Sequence, residues 1–432
     1  MSTATGASAG EGVVLIVGYA LPLLDELAAS LPEKSVVIID EPDVLRKRNA
    51  EAAAGDSPML RELIGWEYMR DAAADCFYHR FRVLRPLAVI PFAEYGVPFA
   101  ARLAERYGVP GAGYGAARLL RDKHLQRQVT AAAGIANPQS VPVTSPAEVR
   151  KFMTETGGPV VLKPANRAGA VGTKILHDPA EAEEGWTECE EQDEGVFVPD
   201  RPLPLRMLAE QFIEGDEFSV EMMLRAGRPE FSAVTKKFLF PGPRPVEQGH
   251  LHPADIDDDL AGRLISGTVG VLDAIGMDTG FAHCEWIVSD GTPYLVECAG
   301  RMAGDGIIDM IQVAWDYDVI TQFCTMMCGQ PLTQKPSAAA VRYTAMWTSS
   351  GPAGRVTAVE GVPEAEASPG VHSVVVKKIG RRIHGLHSSW DRLTAVIADG
   401  ATPAEALANA QRAVNRVTVT IEPDQEATEP TC

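Results

Sequence analysis

Residues 280–306 read GFAHCEWIVSDGTPYLVECAGRMAGDG, two strand-like runs joined through Asp290-Gly291, with Glu285 in the first, Glu297 in the second and Arg301 directly after. Two carboxylates that converge beside a guanidinium make a site for a divalent cation and phosphate. Magnesium takes one or two protein carboxylates and completes its octahedron with phosphate oxygens and water. Arginine's planar fork binds phosphate or carboxylate oxygens in pairs. Convergence depends on the turn. A regular two-residue hairpin at Asp290-Gly291 would pair residue 285 with 296 and send Glu297 to the opposite face. A shared cation site therefore predicts a longer loop of three or five residues, or a β-bulge. The alternative is an exposed acidic pair. His283 alternates with Glu285 and should point the same way, as a hydrogen-bonding neighbour.

Upstream lie the parts of an anion site. In PANRAGAVGTK, residues 164–174, Gly169 and Gly172 let the backbone turn sharply and bring amide N–H groups towards an anion. The same spacing also suits a plain tight turn. It is not a Walker loop, because no Gly-Lys-Ser/Thr ends it and it links strand to strand. Lys163, at the end of an apolar strand, either snorkels to solvent or offers its ammonium to phosphate; Lys123 sits on the preceding helix. In AEQFIEGDEF, residues 209–218, an extended Glu210-Gln211-Phe212-Ile213 can present backbone groups to an adenine edge, with Glu217 beyond the glycine turn placed for ribose hydroxyls. Read alone, the segment is an ordinary edge strand and a turn. Residues 241–257, PGPRPVEQGHLHPADID, are polar and turn-rich and read as a loop or substrate lid outside the core.

The chain has 432 residues, 46% of them hydrophobic, and a formal charge of −19, which predicts several subdomains with clefts between them. The acidic balance argues against nucleic acid or anionic membrane as partners. No apolar run approaches a membrane span, and the first dozen residues lack the features of a signal peptide. The expectation is a cytoplasmic protein whose seven cysteines are free thiols; Cys324 and Cys328 lack further ligands for a metal nearby.

Residues 13–117 alternate strand and helix like a Rossmann layer. The glycine fingerprint of a dinucleotide site is missing after the first strand, so Asp40 and Glu41 do not signal NAD; the turn at residues 18–22 is scaffold, or one wall for a second substrate. Residues 181–204, acidic and proline-bearing, read as a linker or loop. The last hundred residues read as a small α+β appendage.

In their order, these motifs resemble the ATP-grasp superfamily of carboxylate-amine ligases. ECAGRMAG at residues 297–304 is similar to the Glu-x-Ala-x-Arg-x-Ala-Gly pattern of the bacterial L-amino-acid ligases of the alanine-anticapsin ligase type. Ala299 stands where many ATP-grasp enzymes have asparagine, which leaves one fewer metal ligand. The resemblance implies a multidomain α/β and α+β fold. Its parts would be a tail (1–12), a Rossmann-like domain (13–117), an ATP-grasp small or lid subdomain (118–207), a large subdomain with the metal site (208–330), the C-terminal appendage (331–421) and a second tail (422–432). It implies that Lys123 and Lys163 contact ATP phosphates, Glu210 to Ile213 line the adenine pocket and Glu217 binds ribose. The glycine hairpin with Gly169 and Gly172 would cover the nucleotide, and Glu285 and Glu297 would hold Mg2+ or Mn2+. Arg301 would stabilise an acyl phosphate, while Glu247, His250 and Gly304 would lie near the amino-acid substrate. The implied activity is ATP-dependent joining of a carboxylate to an amine, such as two amino acids into a dipeptide, through an acyl phosphate with release of ADP. A carboxylase of the same fold and a non-catalytic ATP-binding module are the alternatives. Small molecules are the expected partners, and analogy suggests a homodimer.

Overall fold

The computed structural model describes residues 11–28, 30–190 and 194–423. The expected tails fall mostly outside these residues, although the first strand already starts at Glu11. Four sheets organise the described residues. The first contains β1 (Glu11–Val17), β2 (Val36–Asp40), β3 (Leu60–Gly65) and β4 (Arg85–Pro91) in the order β3-β2-β1-β4, with every pairing parallel. The uninterrupted apolar run of β1 follows from this position. A parallel strand covered on both faces has no solvent side to colour polar, and Val13 to Val17 are all buried.

The second sheet holds β5 (Ser140–Val143), β6 (Val160–Pro164), β7 (Lys174–Leu176) and β8 (Met207–Gln211) in the order β5-β8-β6-β7. β8 is thus paired on both sides and is not the edge strand its sequence suggested. The amides of Gln211 and Phe212 are also engaged, by Gln139 O and Pro159 O. The acidic stretch after residue 181 is not simply a linker: Ala182–Glu190 is a helix. Ala182 and Cys189 bury one face of it against the sheet, while its glutamates occupy the other.

The largest sheet has eight strands. It contains β9 (Asp216–Arg225), β10 (Arg228–Leu239), β11 (Glu247–His252), β12 (Gly280–Ser289), β13 (Thr292–Ala299), β14 (Tyr343–Ser349), β16 (Val371–Val376) and β18 (Thr394–Gly400), ordered β13-β12-β9-β10-β11-β14-β18-β16. A small third sheet joins β15 (Gly354–Glu360), β17 (Arg382–Ile383) and β19 (Thr418–Glu422). The eight-stranded sheet is continuous across residue 330, because β14 pairs with β11.

The segment 241–257 departs most from its sequence reading. Residues 247–252 are an interior strand of the large sheet, and Val246, His250, Leu251 and His252 are buried. Polar residues are tolerated there because distant partners satisfy them. His252 Nε2 accepts from Trp315 Nε1 at 2.9 Å, and its Nδ1 lies 3.0 Å from Thr235 Oγ1. No local pattern reveals such partners.

The two faces of the large sheet follow the period of two. Phe218, Val220, Met222, Cys284 and Trp286 pack with the helix Asp258–Ile275. The other face begins apolar, where Met223, Phe231 and Phe281 meet the helices Ile307–Trp315 and Val319–Met327 and, through them, the N-terminal sheet. Further along the strands the same face becomes polar, and a cavity opens over it. The six described cysteines are free, and no described helix is long and apolar enough to cross a membrane.

Candidate active site

The β12–β13 hairpin resolves the convergence problem with a bulge and not with a longer loop. Ser289 pairs with Thr292, so Asp290 (φ 47°) and Gly291 (φ 75°) form a two-residue turn. That register persists to Trp286 opposite Leu295; then it slips, and Glu285 stands opposite Glu297. Val296 is the extra residue, a β-bulge that returns Glu297 to the face of Glu285. The displaced Val296 carbonyl accepts a 2.6 Å hydrogen bond from Arg127 Nη2. Both glutamates line a cavity of about 440 Å³.

Each of these carboxylates holds an ammonium. Glu297 pairs with Lys123 at 2.6 Å and Glu285 with Lys237. His283 Nε2 lies 3.0 Å from Glu285 and its Nδ1 lies 2.8 Å from Glu221. Burial alone would lower the His283 pKa, but the two carboxylates outweigh it and raise it to about 9, so the ring is an imidazolium at neutral pH. It faces Ala299 across the hairpin. Among the described residues, no group of three or more His, Cys, Asp or Glu side chains is arranged to hold a metal ion. Two carboxylates on one face, with the remaining positions left to phosphate and water, are what magnesium accepts. Glu285 and Glu297 fit that role.

Lys163 projects from the end of β6 and is buried against Glu210 at 2.6 Å, while Arg127 grips the same carboxylate at 3.0 and 3.1 Å. Burial pushes Glu210 up, but Arg127 and Lys163 prevail and hold it at about 2. One anion between two cations leaves positive charge for a phosphate. Lys123, the first residue of its helix after the Asp122 cap, also donates to the Arg167 carbonyl of the glycine loop at 3.0 Å. Gln211, Phe212, Ile213 and Glu217 line the cavity nearby. Burial chiefly raises the Glu217 carboxyl to about 7.

In the loop, Gly169 (φ 67°) lines the cavity, and a Cβ there would stand 3.2 Å from the Trp390 ring. Gly172 (φ 71°) does not line it; a Cβ there would meet the Cys189 carbonyl at 2.7 Å. Its requirement is close packing and a left-handed backbone.

Glu247 and His250 are three apart on a strand, which should place them on opposite faces. A second register slip corrects this, since Phe238 pairs with Gly249 but Leu239 with Glu247, bulging Gln248. Both then line the cavity. Glu247 accepts from Ser389 Oγ at 2.6 Å, and His250 Nε2 lies 3.5 Å from Asp305. Arg301 forms an ion pair with Glu94 at 2.7 Å, and Arg121 donates to the other oxygen of Glu94 at 2.7 Å. Burial would raise Glu94, but Arg301 and Arg121 hold it at about 2. Gly304 and Asp305 line the cavity as well, and Asp305 pairs with Arg392.

Sequence reading missed Glu94, Arg127, Lys237, Asp305 and Trp390. Alternation did mark the helix after Glu94, but nothing local shows that its carboxylate sits between two arginines. Lys237 was legible only as part of strand β10.

Residues 156–309 match the ATP-grasp domain family. The chain has the ATP-grasp fold. Residues 346–422 match a second family, L-amino acid ligase C-terminal domain 2. Alanine–anticapsin ligase of Bacillus subtilis (strain 168) is 24% identical over 242 residues, 53% of this chain and 51% of the ligase, so the match spans about half the ligase's length. Protein y4rH of Sinorhizobium fredii is 27% identical over 384 residues, 88% of this chain and 76% of the relative. Among solved structures, the L-amino acid ligase of Bacillus licheniformis superposes with a TM-score of 0.76 at 19% identity, covering 96% of this chain and 99% of that one. The chain thus shares its fold with that ligase and carries a match to a C-terminal domain named for the L-amino acid ligases.

Proposed function

We propose that the chain is an ATP-dependent ligase that joins the carboxylate of one amino acid to the amine of a second, through an acyl phosphate, releasing ADP and phosphate. The observation that carries this reading is the pair Glu285 and Glu297, brought to one face by the Val296 bulge, in one cavity with Lys123, Lys163 and Arg301. Triphosphate and carboxylate repel each other, so catalysis must come from neutralisation and alignment. Lys123 and Lys163 take phosphate oxygens in this reading. The surplus charge around Glu210 and Glu94 faces the anion that forms. Phe212 and Ile213 receive the adenine, and Glu217 receives the ribose. Magnesium held by Glu285 and Glu297 would neutralise phosphate charge and hold the oxygens in register. Arg301 stabilises the acyl phosphate, and the amine then attacks the acyl carbon with phosphate leaving. Glu247, His250 and Gly304 border the substrate, while the Gly169 loop excludes water that would hydrolyse the intermediate.

Magnesium-dependent formation of ADP, not AMP, across a panel of amino-acid pairs tests the reading. ADP release driven by bicarbonate without amino acids would point to carboxylation instead. Absence of any ADP would leave a binding module.

A further inference from the structure

The cavity extends beyond the residues discussed so far into the N-terminal sheet, where Tyr19, Asp40, Arg48 and Tyr68 line it. Arg48 follows the short helix after β2. Its guanidinium carbon lies 4.2 Å from the centroid of the Tyr19 ring and 4.5 Å from that of Phe197, so two aromatic faces hold its plane. Phe197 in turn stacks on Trp390 with centroids 3.9 Å apart.

Every other lysine and arginine lining the cavity has an acidic partner: those already described, and Arg167 with Glu194 at 4.0 Å. Among the described residues, Arg48 has none within 4.0 Å, and its buried Nε has no hydrogen-bond partner. Asp40 is close enough to be felt. Its carboxyl, however, is engaged by the Glu41 amide at 2.8 Å and by the Tyr68 hydroxyl, and burial pushes it up to about 7. A planar guanidinium fixed by ring faces, with its N–H edge uncommitted, is a receptor for a carboxylate.

Joining two amino acids consumes one carboxylate and leaves the other charged throughout. That second carboxylate needs a cation not already neutralised by the site. We propose that Arg48 receives the carboxylate that is not activated, the α-carboxylate of the amino acid supplying the amine. This rests on the ligase reading above, which sets the substrate class.

The test is a fluorescence or calorimetric titration of the full chain with a panel of L-amino acids and their carboxamides, with Arg48→Gln and Arg48→Lys compared to wild type. Carboxamides cannot be activated and occupy the amine position alone. Wild type should bind at least one amino acid roughly tenfold or more tightly than its amide. Arg48→Gln should lose that preference with amide binding unchanged. Arg48→Lys should be intermediate, since it keeps the charge without the fork. With turnover established, KM for the amine substrate should rise in Arg48→Gln while kcat changes little. The proposal is overturned if wild type prefers no amino acid over its amide, or if a folded Arg48→Gln, or Arg48→Lys where the glutamine variant does not fold, retains the full wild-type preference. Loss of ADP formation in wild type sinks the ligase reading. Retained preference in a variant that makes ADP sinks only the Arg48 subsite.

Discussion

Glu94 sits where one carboxylate serves two guanidinium groups, Arg121 and Arg301, all three largely buried. Removing it should expose its importance twice. A buried pair broken on one side leaves uncompensated charge and costs about 3–5 kcal/mol, so Glu94→Gln should shift denaturant unfolding to markedly lower midpoints. Arg301→Ala should instead leave nucleotide affinity close to wild type and reduce turnover by roughly 10²–10³-fold, the scale of one lost charge-stabilising donor. Nucleotide titration together with ADP release separates those effects, and near-normal turnover in Arg301→Ala would remove it from the chemistry. Acid sensitivity follows from the same carboxylates. Glu94 and Glu210 are held at about 2 in the folded chain, below the ordinary value, so their stabilisation is present above about pH 4.5 and is lost as pH falls towards 2. His252, lowered to about 4 by burial, adds an earlier loss as pH falls from about 6.5 through 4. Equilibrium unfolding should show stability falling with acid below about pH 4. Between about pH 7 and 4 the raised Asp40 and Glu217 carboxyls act in the opposite sense, so the His252 loss is read as the difference between wild type and His252→Gln from about pH 6.5 to 4.

Two single-residue bulges, at Val296 and Gln248, decide which side chains share a face. Deleting Val296 would remove the bulge yet leave Glu297 opposite Glu285 as a regular cross-strand pair, at the cost of the displaced carbonyl that Arg127 holds. Magnesium-dependent ADP formation should survive that deletion, whereas Glu285→Gln and Glu297→Gln should each remove it; a single variant of either kind that keeps the wild-type magnesium dependence would mean the pair does not act jointly. The need for such a correction was legible in the sequence, because Glu285, the Asp290-Gly291 turn and Glu297 are incompatible with one regular hairpin. That the chain would use the short turn together with a bulge was not, since the Arg127 side chain that caps Val296 comes from a helix far away in the chain. The N-terminal alternation of strand and helix was equally readable from β1, β2 and β4. β11 was not, because its histidines look like loop residues until Thr235, Trp315 and Asp305 stand beside them. Acidity likewise hid the helix Ala182–Glu190, whose buried face rests on few residues.

At the scale of the whole molecule, the cavity is built by segments from both ends of the chain. The N-terminal layer contributes Glu94 and Arg48, the two middle sheets and the helix that starts at Lys123 contribute the lysines and carboxylates, and the C-terminal part reaches back with Ser389, Trp390 and Arg392. Trp390 covers Gly169 and stacks on Phe197, so one indole from beyond residue 330 holds the glycine loop against the roof of the cavity. If that loop keeps water from an acyl phosphate, removing the indole should uncouple the reaction more than it slows it. Trp390→Ala is expected to keep magnesium-dependent ADP formation within several-fold of wild type while less amide forms per ADP, the difference appearing as hydrolysis of the activated acid. Parallel measurement of ADP and amide product checks this. A variant that loses both in proportion would show that Trp390 supports the fold or substrate binding, and one that loses neither would show that the loop is closed by other contacts.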